Sequence, residues 1–126
     1  MNLALWIAQS VLALALAFGG SPKLFGGKAK MIENPKMGWA ADFPDSTIRF
    51  IGLAEIAAAV GFVVAPLLDV FLWSPVAAGI GVVALMAGAA MVHARRKENQ
   101  AIVANLVFIA VALFVVIGRI ISPLNP

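Results

Sequence analysis

The chain has no cysteine. That absence excludes thiol and disulfide chemistry on its own side chains, and any metal or cluster held by thiolates. It has one histidine, His93, too few for a bis-histidine haem or a histidine-based metal site within one chain. Beside Arg95 and Arg96 at a helix end, His93 reads as an interfacial or hydrogen-bonding group, and no metal site is expected. Phosphate loops, dinucleotide fingerprints, zinc motifs and nucleophile elbows are all missing. Charge is scarce too: 12% of the 126 residues are Asp, Glu, Lys or Arg, against 63% that are hydrophobic.

What is present is apolar sequence. A mean hydropathy of +1.01 lies far above that of an ordinary soluble domain and points to a bilayer. The net charge of +3 and pI near 9.8 could suggest nucleic acid. The basic residues lie just outside the apolar runs, however, where membrane orientation explains them, and no nucleic-acid partner is expected. The expected fold class is all-α: a polytopic membrane protein built as an antiparallel four-helix transmembrane bundle. Residues 1–126 form a single transmembrane domain, with helices at about 3–25, 46–68, 75–94 and 100–121.

The first run, from Leu3 to Phe18, contains a Leu-Ala repeat that could pass for a secretory signal. No Lys or Arg precedes it, as a signal n-region requires, so it is read as the first spanning helix. Gly19-Gly20-Ser21-Pro22 should kink that helix before Lys23, Leu24 and Phe25. Residues 26–44 then turn to Gly, Pro and Lys with scattered large apolar side chains, a loop or short interfacial helix. Met31, Ile32, Met37, Trp39 and Phe43 would rest there at headgroup depth, either as an anchor or as a lid over a site. Asp45 or Ser46 is the expected N-cap of the second helix. Trp73 should lie at an interface, and Pro75 occupies a tolerated first-turn position of the third helix. Ala77, Gly81, Ala84 and Gly88 form a smooth stripe on which another helix should pack. Ser122 to Pro126 follows the fourth helix as a tail without pattern.

Charge placement sets the orientation. Lys23, Lys28, Lys30, Lys36 and Arg49 flank the first long connection and Arg95, Arg96 and Lys97 the second, whereas only Arg119 lies toward the opposite side. The positive-inside rule puts both basic connections in the cytoplasm and both termini outside. Arg119 is expected to snorkel toward the outer headgroups, where Asp69 could meet it, and Gln9 to make an interhelical hydrogen bond.

Glu55 is the residue that most needs a reason. An acidic side chain near the middle of a membrane helix costs on the order of 2.5 to 3.5 kcal/mol, so it persists when paired, protonated or functional. Arg49 is displaced by roughly 9 Å along the helix and about 120° around it, which makes it a poor partner. Lys23 from helix one is the better candidate, and Gly52 leaves room for that helix to approach. Lys23, Arg49, Glu55, His93 and Asn105 all fall at the cytoplasmic end of four different helices. They should converge in a polar pocket or in a lattice that fixes helix register.

In the order of these features the chain resembles the DoxX-like family of small membrane proteins. The resemblance rests on Gly20-Ser21-Pro22-Lys23-Leu24, on Arg49-Phe50-Ile51-Gly52-Leu53-Ala54-Glu55, on His93 and on Asn105, and runs over nearly the whole chain. It implies a four-helix bundle of the bacterial inner membrane. Some relatives are linked to oxidoreductase complexes, including a subunit of a thiosulfate:quinone oxidoreductase. An accessory subunit that binds a small lipophilic molecule, with a quinone as the candidate cofactor, is the first expectation; oxidoreductase subunits, a second copy of the chain and the lipid bilayer are its expected partners. A small proton-coupled exporter and a purely structural partner subunit are the alternatives.

Overall fold

The computed structural model describes residues 2–124; of the expected C-terminal tail, Asn125 and Pro126 lie outside the described residues. Four helices are long and apolar enough to cross a bilayer: α1 (Asn2–Met31), α2 (Asp45–Leu67), α3 (Ser74–Arg95) and α4 (Asn99–Ile121). A 3-10 segment, Pro35–Asp42, joins α1 to α2. No strand occurs among the described residues. Short connections force the helices to alternate in direction, so this is the antiparallel bundle its four hydrophobic runs predict.

Leu5, Leu12 and Leu16 recur near helical period along α1 and are buried, while Leu3, Leu14 and Phe18 on its other side are exposed. Leu12 and Leu16 meet Phe62, Val82, Met86, Ala112 and Val115 in one core. In a bilayer, helices gain little from hydrophobic burial against each other, so close packing and polar contacts must hold the bundle. α1 packs chiefly along α2 and α3 along α4; α2 also meets α3, in good part over Val60–Val64, and α1 touches α4.

Several local expectations change. α1 runs on to Met31, six residues past the expected end, and the only non-helical backbone within it is at Gly27 (φ 63, ψ −160), not at Pro22. That φ suits glycine, and a side chain there would run into the Asp45 carboxylate. Asp45 is the first helical residue of α2, not its N-cap; Pro44 takes the cap position, with no side-chain bond. Met31, Met37, Trp39 and Phe43 are not separate anchors. They gather with Ala40 and Ile48 in a second small core that fastens the 3-10 segment down.

α2 also contains a π turn over Val60–Val64, where the Ala65 N–H reaches back five residues to the Val60 carbonyl. Pro66 explains it. Proline has no N–H for the Phe62 carbonyl and its ring crowds that turn, so the helix widens and leaves carbonyls to other donors. Ser74 Oγ donates to Gly61 O at 2.7 Å and Gln9 Nε2 to Phe62 O at 2.6 Å.

The Ala77-Gly81-Ala84-Gly88 stripe is a correction. All four residues are exposed, and a side chain built at Gly81 or Gly88 would meet no atom within 4 Å. The face of α3 that packs carries Gly79, Val82 and Met86 instead; Gly79 lies against Val116 of α4.

Candidate functional site

The site begins where α1 crosses α2. Gly20 and Gly52 face each other so closely that a Cβ on Gly52 would stand 2.6 Å from the Gly20 carbonyl oxygen, and one on Gly20 would stand 2.8 Å from that of Gly52. That approach brings Lys23 beside Glu55, with Lys23 Nζ donating to Glu55 Oε1 at 2.5 Å. Glu55 is buried and the Lys23 side chain mostly so, which makes this an ion pair shielded from solvent. Apolar surroundings strengthen such a pair and penalise its separation.

From Lys23 the contacts continue outward. Its Nζ sits 5.8 Å from the centre of the Trp39 ring, a cation–π arrangement that ties the 3-10 segment to the pair. Trp39 stands edge-on to His93 and to Phe43. His93 Nδ1 lies 2.9 Å from Glu98 Oε1, and Arg96 donates to both Glu98 and Asp42. Glu98 lies in the connection outside the spans. Its hydrogen bond with His93, helped by the positive charge of Arg96, holds its carboxyl below the ordinary value of 4.5 against the opposing effect of burial.

These groups edge a cavity of about 950 Å³. Lys23, Glu55, His93 and Asn105 line it, as the sequence places them at one end of four helices. Its walls are otherwise mainly apolar, with Ile51, Ala84, Leu85, Met86 and Val92 from α2 and α3, and Trp39 and Phe43 form part of its cover. Asn105 Nδ2 is buried and has no hydrogen-bond partner among the described residues. An unpaired buried amide costs about 1 to 3 kcal/mol, so a donor kept there calls for an acceptor that the protein itself does not supply.

Arg49 does not join the cavity. Its guanidinium donates to Asp45 Oδ2 at 2.8 Å, one helical turn back, and to the Leu24 carbonyl at 2.7 Å. Trp39 and Glu98 are two cavity residues that the polar pattern along the spans does not single out. Trp39 lies in the loop that could be read as a lid, and Glu98 is spaced from His93 by a turn that only the folded connection defines. Among the described residues, no group of three His, Asp or Glu side chains could hold a metal ion.

Arg119, expected to snorkel outward, is instead buried at the opposite end of the bundle. It donates to Gln9 Oε1 at 2.6 Å and to Asn2 Oδ1 at 2.7 Å, and its guanidinium lies 5.5 Å from the centre of the Trp6 ring. Asp69 is exposed in the α2–α3 turn and makes no ion pair with it. Gln9 makes the interhelical bond expected of it, and Arg119 locks it in place.

Four apolar spans around a buried lysine–glutamate pair, with a cavity at one end, define a multi-pass membrane bundle. The chain belongs to the DoxX-like family, whose profile matches residues 7–115 and so takes in every cavity-lining helix. No curated protein and no solved structure matches it.

Proposed function

We propose that the cavity binds a small lipophilic molecule with a carbonyl-bearing head, of which a quinone is the best-fitting class. The protein then serves as an accessory subunit of a membrane oxidoreductase system. The observation that carries this reading is the buried, unpartnered Asn105 Nδ2 beside an otherwise mainly apolar cavity. A quinone oxygen accepts hydrogen bonds and its ring needs an apolar slot; Asn105 and Lys23 offer donors, and α2 and α3 offer the slot. Glu55 and His93 line the same space and are the groups able to hold or move a proton for such a ligand.

The clustering of eight of the nine basic residues about the α1–α2 and α3–α4 connections favours an inner-membrane orientation with those connections in the cytoplasm and both termini outside. On that reading the cavity opens toward the cytoplasmic half of the bilayer.

The test is extraction. Protein purified in mild detergent should carry quinone in its lipid extract, and Asn105→Leu should carry less than a third as much. An extract without quinone, together with no change in tryptophan fluorescence when benzoquinone is added, would overturn the reading. Proton-driven uptake into vesicles that Glu55→Gln abolishes would favour an exporter instead.

A further inference from the structure

A second, smaller cavity of about 390 Å³ lies between α2 and α3, farther along their seam. Its walls are short side chains, Ala54, Ala57 and Gly61 on α2 facing Ala77, Ala78 and Gly81 on α3. The two cavities share Leu85. The exposed stripe on α3 connects them: Ala84 and Gly88 line the larger cavity, and Ala77 and Gly81 the smaller. An exposed stripe of small residues therefore lines the two cavities in turn, leading away from the buried Asn105 donor, with Leu85 in the wall of both. From Gly88 to Ala77 it runs about 16 Å along the helix axis.

We infer that this seam seats the hydrocarbon chain of the ligand whose head occupies the larger cavity, so that the ligand is a long-chain amphiphile, a polyprenyl quinone, not a compact one. The inference rests on the proposed head site. Chain and head would enter sideways from the bilayer, because Ala57 of α2 and Ala77, Gly81, Ala84 and Gly88 of α3, which line the two cavities, are exposed on the bundle's outer face. Small residues leave a groove wide enough for an alkyl chain; Leu or Phe at Gly81 or Ala77 would fill it. In lipid such a chain gains nothing from leaving water, so the seam acts by shape: it fixes where the chain lies and points the head at Asn105.

Two readouts separate the seat from the head site. Chainless benzoquinone titrated against Trp39 fluorescence reports the head, with Trp39→Phe identifying the Trp39 component among the three tryptophans. A decylbenzoquinone carrying a diazirine at the chain end, photolysed on the purified protein and mapped by mass spectrometry, reports the chain. The expected result is label concentrated in residues 54–61 and 77–85, displaced by unlabelled decylbenzoquinone and reduced at least fivefold by Gly81→Leu. That variant should fold, since a Cβ at Gly81 meets no atom within 4 Å, and its thermal melt verifies this. Label spread evenly over the exposed faces of α1 and α4, or indifferent to Gly81→Leu, alongside saturable quenching of Trp39, overturns the seat and leaves the head pocket standing. Absence of saturable Trp39 quenching removes the head site and, with it, the inference.

Discussion

Gly20 of α1 and Gly52 of α2 meet backbone to backbone, each occupying the space that the other's side chain would need. The contact is what lets Lys23 and Glu55 share a proton-bonded distance of 2.5 Å. Gly52→Ala places a methyl within 2.6 Å of both the Gly20 oxygen and the Leu24 nitrogen, atoms of a rigid backbone that cannot rotate away. α1 must then move outward. The expected loss is about 1 to 3 kcal/mol of stability from overpacking, with the ion pair lengthened as a consequence. A melting temperature equal to wild type would show that the crossing is looser than its geometry implies. Gly81→Leu is the matched control, because open space surrounds that glycine and its melt should stay unchanged.

The ion pair itself separates two effects. Glu55→Gln leaves the Lys23 ammonium in a shielded position with a neutral partner. Breaking a buried pair by removing one member costs on the order of 3 kcal/mol, whereas replacing both members by neutral groups of similar volume is often far milder. Lys23→Met with Glu55→Gln should therefore melt above Glu55→Gln alone, and a double-mutant cycle in detergent measures the difference. If the double variant is the less stable of the two, Lys23 does not depend on Glu55 for its charge.

Much of this was legible in the sequence for a physical reason. Membrane burial is so costly for charge that a lone Glu55 demands a cation, and helical geometry disqualifies Arg49 while leaving Lys23 in reach across a glycine. Four hydrophobic runs likewise leave little choice of fold. What could not be read is which face of a uniformly apolar helix looks at protein. α3 carries small residues on more than one side, and the stripe chosen from spacing faces outward while Gly79, Val82 and Met86 pack inward. Arg119 was misplaced because one arginine near a helix end fits snorkelling as well as burial. Only the fold brings Gln9, Asn2 and Trp6 around it, residues more than a hundred positions away in the chain.

Orientation is open to a direct experiment, and the lack of native cysteine makes it clean. Single cysteines at Asp69 and Lys97, both exposed in opposite connections, should react with a membrane-impermeant maleimide from opposite sides of the membrane. In intact cells Asp69→Cys should label from outside and Lys97→Cys only after permeabilisation. The reverse pattern would turn the bundle over and place the cavity at the outer face.

Acid should loosen the cover of the cavity. Glu98, bound to His93 and Arg96, holds its carboxyl below the ordinary 4.5. A depressed folded value means that its contribution is fully present above 4.5 and fades as the pH falls through the lower, folded value. Arg96 ties this same carboxylate to Asp42 at the end of the 3-10 segment, so protonation releases one side of that clamp. Trp39 fluorescence followed from pH 7 down to about pH 3 should show a transition below 4.5 that Glu98→Gln removes. A transition equally large in the variant would assign it to another carboxyl group.

The last prediction concerns the far end of the bundle, where a proline in one helix is answered by a glutamine in another. Pro66 has no N–H for the Phe62 carbonyl, and Gln9 Nε2 donates to that oxygen at 2.6 Å while its own Oε1 accepts from Arg119. One fully buried amide thus serves both a helix carbonyl and a cation. Gln9→Leu deprives the two partners at once, leaving a buried acceptor and an arginine with fewer acceptors. Each unsatisfied group costs about 1 to 3 kcal/mol, and a charged one more. The variant should lose several kcal/mol of stability, beyond the effect of either glycine substitution. Adding Arg119→Met should recover part of the loss, because the cation then no longer needs an acceptor, whereas the Phe62 carbonyl remains bare. Replacing Pro66 by Ala in the Gln9→Leu background should recover another part by returning an N–H to the helix. Melting temperatures of the two double variants against Gln9→Leu decide it. If neither rises, the network is not what holds α1 to the π turn.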